Sequence, residues 1–84
     1  MSSILGTYAR KNISFKSGKG SYLIAENGDK YLDFVQGIAV NILGHCHEEL
    51  VETIKKQSEK LWHISNAFVI PEQEQLAKKL TDLV

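Results

Sequence analysis

His45, Cys46 and His47 stand together in this sequence, with His63 further on. Imidazole and thiolate are the donors that zinc prefers. The spacing argues against a metal, because structural zinc sites usually set converging ligands about two to four residues apart, whereas three successive residues at a strand-to-helix junction point in different directions. A Cys46–His nucleophile pair meets the same objection, since adjacent residues rarely meet in line and nothing nearby orients the base. The structural alternative is simple: Gly44 makes the turn, His45 packs or hydrogen-bonds at the junction, and His47 caps the helix that follows.

Asp33 with Glu26 or Glu48 could form a carboxylate pair for acid–base work. No apolar cluster in the sequence would raise either pKa, and strand-edge and helix-start roles explain these residues. The nine lysines lie on polar faces, and none looks desolvated enough to be an activated amine. Gly18-Lys19-Gly20 could cradle a phosphate with backbone amides. It neither follows a clear strand nor opens a helix, so a flexible lead into the first strand is the better reading.

These residues need elements to hold them. The 84-residue chain is 43% hydrophobic and 24% charged, with ten basic and ten acidic residues. That balance gives no electrostatic footprint for nucleic acid and no polybasic patch for an anionic membrane. A chain this short buries about two-thirds of its unfolded surface, so its core is marginal. Cys46 is the single cysteine, which excludes an intramolecular disulfide and points to a reducing compartment. No stretch approaches the run of about 18 apolar residues that a membrane span requires, and Arg10-Lys11 are followed by Asn12 and Ser14 instead of the apolar run of a targeting segment, so the expected location is cytoplasmic.

The stretch Tyr31 to His47 organises the chain. Ser21–Ala25 and Lys30–Phe34 flank Glu26-Asn27-Gly28-Asp29, and Asn-Gly predicts a hairpin in which both central residues take positive φ. Leu32 and Phe34 alternate with Tyr31 and Asp33, which predicts that the apolar pair points inward. Ile38–Leu43 would pair as the third strand of a meander. From Glu48 to about Leu61 the residues Leu50, Val51, Ile54 and Leu61 share one helical face, which would cover the sheet. Trp62 to Phe68 reads as a loop, and Pro71 suits the first position of a second helix with an apolar stripe of Leu76, Leu80, Leu83 and Val84. No C-cap signal follows Leu83-Val84, so the expectation is a chain cut within a longer one, or a terminal helix that frays. The predicted class is α+β, a three-stranded antiparallel meander followed by two helices. Residues 1–84 read as one partial domain: 1–20 lead-in, 21–43 sheet, 48–84 helix-loop-helix.

Several phrases together resemble the amino-terminal pattern of class III aminotransferases, pyridoxal-phosphate enzymes of fold-type I. They are Gly20-Ser21-Tyr22-Leu23, Asn27-Gly28-Asp29-Lys30-Tyr31-Leu32-Asp33-Phe34, Gly37-Ile38-Ala39-Val40-Asn41 and Leu43-Gly44-His45-Cys46-His47. Gln57, Leu61, His63 to Phe68 and Leu76-Ala77-Lys78-Lys79-Leu80 continue the likeness. Leu5-Gly6-Thr7-Tyr8 and the Gly37 to Asn41 phrase tilt it toward the branch that uses N-acetylornithine. One departure is Glu48, where the family usually has proline after Gly-His-x-His; it keeps a helix-compatible first turn and loses proline's fixed φ.

The resemblance implies the first fifth or so of a small domain. It implies that Gly37, Ile38, Ala39, Val40 and Asn41 border the substrate pocket, and that Ser65, Asn66, Ala67 and Phe68 lie near the active site and the dimer interface. It implies pyridoxal 5'-phosphate in the complete enzyme. The aldimine lysine, the acid that pairs with the pyridinium nitrogen, the phosphate cradle and the substrate-binding arginine would come from segments further along. The expected partners are therefore the rest of the aminotransferase chain, a homodimer mate, an amino donor and 2-oxoglutarate, with no catalytic residue, metal or specific cofactor binding in these 84 residues alone. The residues also admit a second reading, a free-standing α+β module that docks on a partner through its last helix.

Overall fold

Asn27-Gly28 does form a hairpin, though with a different loop. In the computed structural model, which describes residues 2–84, Gly28 has φ 91° and Asn27 has no positive φ. The Gly28 amide donates to the Ala25 carbonyl and the Ala25 amide to the Asp29 carbonyl. The loop is thus Glu26-Asn27-Gly28, a turn closed by one left-handed glycine, and not the two-residue turn expected from the dipeptide. Asn27 Oδ1 accepts from the Asp29 amide at 3.0 Å, which tightens it further.

The sheet is an antiparallel meander in the order β1-β2-β3, comprising Phe15–Lys19 (β1), Tyr22–Ala25 (β2) and Lys30–Leu32 (β3). Three strands and the α+β class are as expected, but the membership differs. β1 falls in the stretch read as lead-in, because Phe15 is its only large apolar residue and Gly18 weakens a strand pattern. The expected third strand, Ile38–Leu43, is not a strand: Ile38 and Ala39 have φ of 66° and 58°. The alternation does not turn an apolar pair inward. Leu32, Phe34 and Tyr31 are all exposed, whereas the Asp33 side chain, just past the end of β3, is only 8% exposed. The edge of the Phe15 ring meets the Tyr31 ring at 5.6 Å between centroids, and the Lys30 ammonium lies over the Tyr22 ring at 4.0 Å.

Two compact units make up the chain, the first closing at Glu52 and the second being Thr53–Val84. Between β3 and the first long helix, Gln36–Ala39 forms a single helical turn (α1). Glu48–Ser58 (α2) begins with Glu48 and Glu49 and carries Lys55 and Lys56 in its last turn, charges that suit the helix dipole. It ends three residues earlier than the expected Leu61. The Lys60 and Leu61 amides both close on the Gln57 carbonyl, and Trp62 Nε1 donates to the Ser58 carbonyl at 2.7 Å. Pro71–Leu83 (α3) starts as predicted with proline in its first turn, and Ile70 before it is extended at φ −116° and ψ 103°, as a residue preceding proline must be. Ala25, 4% exposed, is the one buried hydrophobic residue among those described.

Candidate functional site

Asp33 is the point on which the first unit converges. Its Oδ1 accepts the Val35 amide at 3.1 Å and the Gln36 amide at 2.9 Å. Its Oδ2 lies 2.7 Å from His45 Nε2, and its own amide donates to the Ser21 carbonyl at 2.8 Å. A short side chain that accepts from amides two and three residues ahead reverses the chain locally, which aspartate and asparagine do more strongly than serine or threonine. The Gln36 amide is the main reason its carboxyl is held below the ordinary carboxylate range. The His45 hydrogen bond acts next in the same direction; burial opposes them, and the Val35 amide and the His45 charge add smaller lowering effects.

That lowering fixes the sign of a pH effect. The unfolded chain, with Asp33 at its ordinary value, takes up its proton first as pH falls, so the unfolded state binds more protons in that window and stability rises with pH. The Asp33 contribution is therefore present above about pH 4 and is lost as pH falls below it. Protection of the Val35 and Gln36 amides, taken as the intrinsic exchange rate at each pH over the observed rate in a complete subunit carrying this segment, is expected to fall below that pH; D33N should flatten the fall.

His45 reaches Asp33 because glycines let it. Its backbone pairs with Gly20, amide to carbonyl in both directions, at 3.0 and 2.8 Å. Its ring lies on Gly18 so closely that a Cβ there would sit 2.8 Å from Cγ. This explains a glycine inside β1: it marks close approach of another group. Of the roles expected for the junction, His45 does hydrogen-bond, while His47 Nδ1 is buried with no hydrogen-bond partner and its carbonyl accepts the Val51 amide.

The second product of the Asp33 turn is α1. Gln36, Gly37, Ile38 and Ala39 have φ of 52°, 64°, 66° and 58°, so the turn is wound left-handed. It is closed by Ala39 N to Val35 O at 3.0 Å and Val40 N to Gln36 O at 2.9 Å. Between this turn and the sheet lies a cleft of about 570 Å³ lined by, among others, Leu23, Leu32, Asp33, Gly37, Asn41 and His45. Of the five residues expected at a pocket border, Gly37 and Asn41 line this cleft, and Ile38, Ala39 and Val40 are exposed. The Ser65–Phe68 group lies in the second unit, where Ser65 Oγ accepts the Ala67 amide at 3.1 Å. Asn66 lines a cleft there of about 430 Å³ with Trp62, His63 and Val69; Ser65, Ala67 and Phe68 do not line it.

Sequence reasoning named Asp33 and His45 separately and did not join them. The pairing was hidden because alternation placed Asp33 on the outer face. The available signal was a strand-end aspartate followed at a distance by Gly-His. No group of three metal-ligating side chains occurs among the described residues, and no helix among them is long and apolar enough to cross a membrane. The nine lysines are all exposed, and none lines the clefts described above.

The meander with the helices that follow it is shared with solved aminotransferases. The acetylornithine aminotransferase of Elizabethkingia anophelis superposes with a TM-score of 0.85 at 28% identity over 93% of this chain and 20% of that one. The Stenotrophomonas maltophilia N-acetylornithine aminotransferase gives 0.77 at 34% identity over 87% and 20%. The class III aminotransferase family pattern matches residues 7–84, and the chain belongs to that family, whose members use pyridoxal phosphate. Curated relatives include the acetylornithine aminotransferases of Agrobacterium fabrum, 52% identical over 94% of this chain and 20% of theirs, and Bacillus subtilis, 54% identical over 95% and 21%. The chain spans about a fifth of the length of these relatives.

Proposed function

We propose that this chain supplies the substrate-side corner of the small domain of an acetylornithine aminotransferase. The complete cytoplasmic homodimer moves the δ-amino group of N-acetylornithine to 2-oxoglutarate in arginine biosynthesis, with pyridoxal phosphate held by residues outside these 84. Gly37 to Asn41 border the substrate pocket, and Ser65 to Phe68 lie by the active site and the dimer mate. The observation that carries this reading is identity above half, over more than nine-tenths of the chain, to acetylornithine aminotransferases. The placement of Gly37 and Asn41 on one cleft supports the pocket assignment. Alone, the chain lacks the machinery for transamination.

The test joins this chain at Val84 to the part of the Bacillus subtilis enzyme that follows its matched stretch. The joined subunit is expected to turn over N-acetylornithine with 2-oxoglutarate in preference to ornithine, succinylornithine or 4-aminobutyrate, and the 84-residue chain to turn over none of them. A joined subunit that prefers another donor would overturn the substrate assignment, and turnover by the short chain would overturn the division of labour.

A second reading draws on the exposure of Leu76, Leu80 and Leu83 along α3. It makes the chain a small module that docks on a separate protein through that helix, and it requires the chain to fold by itself.

A further inference from the structure

The left-handed turn is a costly conformation for L-residues. Positive φ is unusual for any side chain and a genuine outlier for a β-branched one such as Ile38. Ile38 is 86% exposed, so packing of its side chain does not compensate. Conformations of this kind persist only where their surroundings over-determine them. Here the surroundings are Asp33. Oδ1 holds the Val35 and Gln36 amides that lead into the turn, and Oδ2 is held by His45. His45 is itself fixed by its backbone pairing with Gly20 and by its ring against Gly18.

We propose that Asp33, held by His45, is the positioning residue that keeps Gln36–Ala39 left-handed and so presents Gly37 and Asn41 to the substrate. This rests on the assignment of those residues to the pocket border. Asp33 touches no reacting atom; it acts through the backbone it anchors. What the turn needs from it is an acceptor oxygen at Oδ1, so an asparagine can replace it and an alanine cannot.

The experiment uses the joined subunit and its D33A and D33N variants. It reads deuterium uptake over residues 34–42 against residues 22–25, together with KM and kcat for N-acetylornithine. D33A is expected to speed uptake over 34–42 by about tenfold, the effect of losing charge-assisted hydrogen bonds, with 22–25 changed by less than about twofold. KM should rise about tenfold with kcat changed by less than about threefold, since a displaced pocket border weakens binding of ground state and transition state alike. D33N should bring both readouts back to within about threefold of the unsubstituted subunit. Unchanged uptake in D33A, equal rises over both segments, an unchanged KM on a loosened turn, or D33N no better than D33A would each overturn the proposal. If the unsubstituted subunit turns over no donor, the aminotransferase reading fails, and uptake alone decides whether Asp33 holds the turn.

Discussion

Gly44→Ala is expected to unfasten the corner of the joined subunit, at a cost of about 3 kcal/mol. Gly44 has φ +84°, and a Cβ there would lie 3.0 Å from the Gly20 Cα and carbonyl oxygen and 3.1 Å from its carbonyl carbon. These are backbone atoms, which cannot swing aside as a side-chain end can. An alanine pays about 1–2 kcal/mol for the left-handed conformation itself. Moving the strands apart then breaks the two Gly20–His45 hydrogen bonds, about 1 kcal/mol each. His45 withdraws from Gly18 and Asp33 together with them. Gly28→Ala is the control: its φ is +91°, but nothing lies within 4 Å of the added carbon, so it carries the conformational cost alone. Thermal midpoints of the two variants, with deuterium uptake over residues 18–20 and 43–46, check this. Gly44→Ala should lower the midpoint by several degrees more and raise uptake at both segments. Equal effects would mean that the contact with Gly20 is unimportant.

The 84-residue chain by itself is expected to show no cooperative thermal transition and to bind an apolar dye strongly. Many of its large apolar side chains are uncovered: Phe34, Val35, Ile42, Val69, Leu76 and Leu83 are exposed, and Trp62 is 88% exposed. With one buried hydrophobic residue among those described, burial cannot offset the entropy of ordering the backbone. Scanning calorimetry and dye fluorescence on the short chain and on the joined subunit check this. The transition should appear, and the dye signal fall by about tenfold, only in the joined form, where an obligate cover is in place. A sharp transition in the short chain would instead favour the docking-module reading, which needs a self-sufficient fold.

What could be read from the sequence divides along physical lines. α2, α3 and the Asn27-Gly28 hairpin rest on local signals, namely helical periodicity, proline at a first turn and a glycine that accepts positive φ, and these were legible. β1 was not, because a strand holding Gly18 has its reason in the His45 ring and not in its own residues. Ile38–Leu43 misled for the converse reason. Its β-branched alternation favours a strand, but the Asp33 side chain caps the amides just before it and reverses the chain. The Asp33–His45 pair likewise depends on a tertiary approach made possible by Gly18, Gly20 and Gly44. Inward-pointing Leu32 and Phe34 were inferred on the premise that apolar side chains are covered within these 84 residues, and most here are not.

The order β1-β2-β3 leaves two strand edges with unpaired backbone groups, beside an unusually apolar surface, which invites growth of one sheet onto the next. Both edges are poor templates. β3 is three residues long and includes Lys30. β1 carries Lys16 and Lys19, and its register slips between Phe15 and Ser17, which bends the edge away from a straight partner. In a subunit where the meander has formed, charge and strand length at these two edges therefore disfavour pairing with the sheet of another molecule.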